Sequence, residues 1–254
     1  AAHGNTGSAM QLGTAVIPTW TTHPQVLAGQ ALTTQAAVNG RLVLGLGLAH
    51  EPSVTGRWKM TWERPVRQMM DFLDVLQPLL TEGRVNHEGY FWSYEGEIPL
   101  LEGPTPKVMI AALGDQMLKL AGARTDGTIL WCVGAKTIAD HIAPAINDAA
   151  EKAGRPQPSI VCSIPVWVTD DPAPARDFLA QILSVYAELP SYRRMLDIEG
   201  LHGLGELSLV GTEAEVTERI AEIAASGATD FTAVPMGGNP DEIARTREIL
   251  RIVR

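Results

Sequence analysis

From residue 12 onward the chain alternates short apolar runs with longer amphipathic ones, the grammar of strand followed by helix. Leu12 to Ile17 is apolar and β-branched and is halted by Pro18, which predicts a strand. Pro24 stands where a first-turn proline is tolerated, and it opens about four turns of helix closed by Asn39-Gly40. Arg41 to Leu48 has no polar alternation, the pattern of a parallel strand buried on both faces. A loop, Ala49 to Thr61, leads into a helix across Trp62–Thr81. Its apolar positions Val66, Met69, Met70, Leu73, Leu76 and Leu80 recur at intervals of three and four, so one face packs on a sheet.

Residues 82–97 set three glycines among Tyr90, Phe91, Trp92 and Tyr94, which predicts a small hairpin excursion. Lys107–Leu113 and Thr128–Val133 read as strands, followed by helices over Asp115–Ala123 and Thr137–Ala153. Ser159–Thr169 is a long strand, and Asp170-Asp171-Pro172 predicts an N-cap and first turn of a helix reaching about Glu188. Leu189–Glu206 reads as irregular. Thr212 and Glu215 form a capping-box pattern for a helix over Glu213–Ala225, stopped by Gly227. Phe231–Pro235 is the last strand and Asp241–Arg251 the last helix. Alternating units of this kind predict an α/β fold with a parallel sheet.

At 254 residues the chain matches the size of a single (β/α) barrel, and 45% hydrophobic against 19% charged residues allows a sizeable core. A net charge of −9 argues against nucleic acid as a partner, because phosphates demand a basic surface. No run reaches the ~18 apolar residues of a membrane span and no signal peptide is visible, so no membrane is expected and the cytoplasm is. Cys132 and Cys162 lie in apolar runs and read as buried free thiols. Residues 1–10 read as a flexible lead, and residues 11–254 as one barrel domain carrying the hairpin near 82–97.

The blocks GTAVIPTW at Gly13–Trp20 and GRLVLGLGLAH at Gly40–His50 resemble the bacterial-luciferase-like superfamily of flavin and deazaflavin enzymes. Within it the likeness is to oxidoreductases that use the deazaflavin coenzyme F420. It continues through Trp62–Leu80, Ile110–Trp131 and Ser208–Phe231. No single motif is decisive, but the blocks stand in the family's order. The resemblance implies a (β/α)8 TIM barrel of the luciferase-like type. It also implies that the likeness begins at the family's third strand, so that two strand–helix units, roughly 60 residues, are not in this sequence. A sheet of about six strands would leave two apolar edges, so the chain is expected either to aggregate or to pair with another chain, with a homodimer as the default because the family it resembles is mostly dimeric.

The resemblance also implies site residues. In the family, the peptide at the end of the strand matching Leu12–Ile17 is a non-proline cis bond or a bulge that presses on the cofactor ring, and Ala15 and Val16 are the matching positions. Gly45 and Gly47 point to one face of their strand. They either let a planar ring approach the backbone or permit tight packing. His50 follows the strand's C-terminal end, where barrel enzymes place reacting groups, and can hydrogen-bond a ring or move a proton. Gly114 opens a helix directly after a strand, a place where free N–H groups attract phosphate, although Asp115 opposes this unless it points away. The family's phosphate lies there and at the end of the next strand, matching Trp131, Cys132, Val133 and Gly134.

Trp20, Trp58, Trp62 and Trp92 either line a substrate pocket or pack loops, and Tyr192-Arg193-Arg194 offers cations for an acidic cofactor tail or simply a solvated surface. There is no HExxH or CxxC pattern, so no metal is expected. GxSxG and GxxxxGK[ST] are absent, and LGLGLAH lacks the third glycine of a dinucleotide fingerprint. The expectation is an F420-dependent oxidoreductase passing hydride between the deazaflavin, 8-hydroxy-5-deazaflavin, and a small-molecule substrate. FMN with a luciferase-like monooxygenase is the alternative, and a non-catalytic flavin-binding relative with a shortened barrel is the rival of a different class.

Overall fold

The computed structural model describes residues 10–252, so the lead expected over residues 1–10 lies, except for Met10, outside the described residues. The chain divides into two compact units after Ala111.

In the first unit, β1 (Leu12–Gly13) and β2 (Ile17–Pro18) both pair in parallel with β3 (Leu42–Gly47), and β3 pairs in parallel with β6 (Lys107–Ile110). The expected single strand Leu12–Ile17 is therefore broken in two, and the registers say why. Leu12 and Gly13 face residues 30 positions on, whereas Ile17 and Pro18 face residues 29 positions on. Thr14, Ala15 and Val16 thus oppose only Leu44 and Gly45, which is a β-bulge. Every residue of β3 is buried, as its unbroken apolar pattern predicts.

Helix α1 (Pro24–Ala37) joins β2 to β3, and its N-cap is His23, whose Nδ1 accepts the Gln25 N–H at 3.2 Å. Helix α2 (Pro65–Thr81) starts three residues later than its apolar pattern suggests, because Arg64 takes a left-handed φ of 42° and Pro65 fixes the first turn. Phe72, Leu73, Leu76 and Leu79 on its inner face are wholly buried, each contributing ~2 kcal/mol of hydrophobic stabilisation. The loop before it contains a π-helical turn, Ser53–Arg57. The hairpin consists of β4 (Arg84–Glu88) and β5 (Ser93–Glu97), antiparallel and lying against α2.

In the second unit, β8 (Ser159–Val168) is central, with β7 (Gly127–Trp131) and β10 (Asp230–Pro235) parallel to it on either side. A short β9 (Leu209–Gly211) pairs with the far end of β8. Helix α3 (Asp115–Arg124) packs on α5 (Ala143–Lys152), which continues a helical run from α4 (Ala135–Thr137) through the π-helical turn Ile138–Ile142. That contact is close enough that a Cβ on Gly122 would overlap the Ile146 carbonyl.

Leu189–Glu206, which lacks long periodicity, is mostly helical. Pro190 opens α8 (Pro190–Glu199), whose Tyr192, Met195 and Leu196 are buried at helical spacing, and Gly200 stops it with φ of 77°. A single turn, α9 (Leu204–Leu207), follows. The helix expected to reach Glu188 ends sooner, as α6 (Pro172–Ile182) and the turn α7 (Ser184–Ala187). Asp171 occupies the N-cap position without a capping bond, and Asp170 pairs with Arg245 instead. Thr212 and Glu215 do form the capping box of α10 (Glu213–Ala225), with Thr212 N–H donating to Glu215 at 2.7 Å. Helix α11 (Pro240–Ile252) closes the unit.

Candidate functional site

In the first unit the bulge is built from three residues with different tasks. Thr14 N–H donates to the Val43 carbonyl at 3.2 Å, and the Thr14 hydroxyl donates to the Gly45 carbonyl and accepts the Gly45 N–H, both at 2.9 Å. The Ala15–Val16 peptide is cis. Ala15 is exposed, and Val16 turns its side chain over Gly47. A Cβ on Gly47 would overlap Val16 Cγ2 and stand 3.6 Å from Ala111 Cβ, so the space this glycine leaves is used by Val16. The ladder resumes at once, with Thr19 N–H donating to Gly47 O at 2.9 Å.

His50 follows β3 after Ala49, which takes a left-handed φ of 58°. Its carbonyl accepts the N–H groups of Ser53 and Val54 at 2.9 and 3.0 Å, which ties the π-helical turn to the end of the strand. The imidazole is half-buried, and loss of hydration lowers its pKa from the ordinary 6.5, so the ring is neutral at pH 7. A neutral imidazole can accept a proton or donate one N–H.

Three of the loop tryptophans pack against other aromatic rings. Trp20 is buried, with its ring centroid 5.6 Å from Trp62 and 5.7 Å from Phe91. Trp92 stands 5.8 Å from Phe72 and 5.3 Å from His23, and Trp58 is half-buried. Beneath them runs a buried polar set that hydrophobic periodicity does not reveal. Thr19 donates to Gln68 Oε1 at 2.8 Å, and Asp71 accepts Phe91 N–H at 2.8 Å and faces Arg67 Nε at 2.8 Å. Asp71, Asp74 and His87 bring ligand atoms within 4.8 Å of one another. Arg67 and Phe91 already engage the Asp71 carboxylate, which marks this group as a fastening of the hairpin to α2.

In the second unit two helix starts carry the remaining expected residues, and they differ. Gly114 caps α3 without any side-chain bond, is exposed, and has no atom within 4 Å of where a Cβ would stand. Asp115 is drawn aside by Arg194, 3.3 Å away, and His141 Nδ1 lies 3.7 Å from its carboxylate. His141 Nε2 is 2.8 Å from the Leu113 carbonyl. At Gly134, by contrast, the chain supplies its own anion. Thr137 N–H donates to Glu199 Oε1 at 2.6 Å, and a Cβ on Gly134 would stand 2.6 Å from that oxygen.

Cys132 takes a positive φ of 50° and is buried with Val133. Burial raises the pKa of its thiol, as it does that of Cys162, which is pushed up to about 12, so both are inert thiols. Arg193 is spent on the Leu201 and His202 carbonyls, at 2.8 and 3.0 Å, and buried Tyr192 has its pKa raised by desolvation. A cavity of about 480 Å³ opens beside Gly134, with Ile164, Leu209 and Ile223 as apolar walls and Glu199 and Arg219 as charged ones. Arg219 donates to the Ser208 and Leu207 carbonyls at 2.6 and 2.7 Å.

The family described as luciferase-like monooxygenase matches residues 1–230. The F420-dependent glucose-6-phosphate dehydrogenase of Gordonia bronchialis is 30% identical over 185 residues, covering 68% of this chain and 54% of that protein. The chain spans less than two thirds of the length of the curated relatives it matches. A solved F420-dependent secondary alcohol dehydrogenase, in complex with an F420-acetone adduct, superposes with a TM-score of 0.77 at 18% identity, over 100% of this chain and 82% of that one. Monooxygenase RslO1 from Streptomyces bottropensis gives 0.75 at 20% identity, over 96% and 77%. The fold is therefore the α/β luciferase-like barrel type. No helix among the described residues is long and apolar enough to cross a membrane.

Proposed function

Because this chain belongs to the luciferase-like monooxygenase family, we propose that it serves an oxidoreductase that binds coenzyme F420 and acts on a small organic substrate. The observation that carries the reading is the first unit's bulged strand, with Val16 set over Gly47 and His50 following the adjacent strand. These are the positions that the family resemblance assigns to the ring, and the F420 dependence of the relative at 30% identity supports the choice of ring. When bound, the deazaflavin supplies a two-electron hydride acceptor and donor. The chain's residues do the rest.

The bulge presents Ala15 and Val16 as an apolar platform, which favours a planar ring and excludes water. The neutral His50 takes the proton released from a substrate hydroxyl, or returns it in the reverse direction. Within the second unit taken by itself, the open, uncapped N-terminus at Gly114 suits an anion better than the one at Gly134, where an anion would meet the Glu199 carboxylate. FMN is the rival ring, since the family also includes monooxygenases.

Titrating the intact protein with oxidised F420 and with FMN tests the reading through the quenching of each ring's fluorescence. The expected result is F420 bound about tenfold or more tightly than FMN, a difference of ~1.4 kcal/mol. The reverse order would favour the monooxygenase reading. Tight ring binding without turnover of any alcohol would favour a non-catalytic relative.

A further inference from the structure

The bulge leaves β3 with a problem that one side chain solves. In a regular parallel ladder, Gly45 would find its partner in the backbone of residues 14–16, with the carbonyl of residue 14 accepting its N–H and the N–H of residue 16 donating to its C=O. The extra residue between Gly13 and Ile17 removes that partner, while Gly45 stays buried. A buried amide left without a partner is costly. The Thr14 hydroxyl meets both needs, donating to Gly45 O and accepting from Gly45 N–H at 2.9 Å each. A hydroxyl is the smallest side-chain group that does both at once.

We propose that Thr14 is a positioning residue for ring binding: its hydroxyl takes over the missing ladder bonds and so determines where Ala15 and Val16 stand over β3. The proposal rests on the functional reading above and adds to it a residue that touches neither ring nor substrate. Thr14 fastens the near end of the bulge, and Thr19 N–H to Gly47 O fastens the far end. Without the hydroxyl, Gly45 can recover partners only if residues 14–16 slide. A slide carries Val16 off Gly47.

The molecule contains its own control. Ile160 N–H donates to Thr229 Oγ1 at 2.9 Å, and Thr229 N–H donates to Ile160 O at 2.9 Å, a similar threonine fastening at the N-terminal ends of β8 and β10. Parallel α/β folds place their sites at the opposite strand ends, so Thr229 has the structural task alone.

The experiment compares Thr14→Ser, Thr14→Val and Thr14→Ala with Thr229→Val in the intact protein. It reads thermal unfolding and the dissociation constants of oxidised F420 and FMN. The expected result is that Thr14→Val and Thr14→Ala weaken binding of the preferred ring by about tenfold or more, in keeping with the cost of small misplacements. Thr14→Ser restores it to within about twofold of the wild type, because it keeps the donor and acceptor. Thr229→Val lowers the unfolding midpoint but leaves ring affinity unchanged.

Ring affinity unaltered in Thr14→Val and Thr14→Ala would overturn the proposal. So would equal losses in Thr14→Val and Thr229→Val, or a Thr14→Ser variant as weak as Thr14→Ala. If Thr14→Val does not fold, the Ala and Ser pair decides. A wild-type protein that binds neither ring overturns the functional reading itself, and that outcome is seen before any variant is made.

Discussion

Glu199, the last residue of α8, places its carboxylate 2.6 Å from the backbone N–H of Thr137, 62 residues earlier, and so caps the helical run that begins at Ala135. An acidic group at a helix start satisfies a free donor and complements the helix dipole. Replacing Glu199 with Ala should therefore destabilise the protein by ~1 kcal/mol, with Glu199→Gln losing less because the acceptor remains. Urea unfolding of the three proteins measures this. A Glu199→Ala midpoint equal to that of the wild type would show that the contact contributes nothing.

His50 supplies a pH signature. Its pKa in the folded protein lies below 6.5, so it is neutral above that pH and gains a proton only as pH falls through the lowered value. The unfolded chain protonates first. The stability associated with this lowered pKa is therefore present above pH 6.5 and lost progressively below it. Turnover in the direction that needs a base should fall over the same acidic range, and His50→Ala should lower kcat by ~100-fold while flattening that limb. A pH–rate profile unchanged in His50→Ala would remove His50 from the chemistry.

Val16 and Gly47 should behave as a coupled pair. Gly47→Ala puts a methyl where Val16 Cγ2 already stands, an overpacking that costs about 1–3 kcal/mol. Adding Val16→Ala vacates that volume, so the double variant should be more stable than Gly47→Ala alone. A double-mutant cycle with no coupling would mean that the two side chains do not share this space.

Arg245 holds two carboxylates, Glu213 at 2.9 Å and Asp170 at 3.1 Å. Hydrogen bonds from its guanidinium are the first cause holding both acids below their usual range. In Arg245→Ala, NMR titration should show both carboxyls moving up toward ordinary values. Because Asp170 is exposed and Arg245 and Glu213 are only half-buried, the effect should shrink at high salt. Unshifted titrations in the variant would mean that the guanidinium is not what holds the two acids down.

Much of this molecule is local and was legible from the chain. The unbroken apolar run at Arg41–Leu48 predicts a strand buried on both faces, and β3 is that strand, because burial on two sides leaves no room for polar alternation. Capping at Thr212 and Glu215 is equally local, since one turn of helix contains all of its partners. Family likeness, carried by short blocks in order, directed attention to Ala15, Val16, Gly47 and His50.

What the chain did not announce depends on partners distant in sequence. That Leu12–Ile17 is two strands and not one follows from its register against β3, thirty residues away, which no apolar pattern encodes. Leu189–Glu206 looked irregular because a single ten-residue helix with few apolar positions gains its stability from what it packs on. Glu199 and Thr14 are invisible to periodicity for the same reason. Their worth lies in a backbone donor or acceptor that only the folded chain brings within 3 Å. Sequence alone determined most of the strands and helices and the family they belong to, because those follow from local pattern. Tertiary structure decided which side chain completes each broken ladder or open helix end, because a buried polar group takes whatever partner the fold sets beside it.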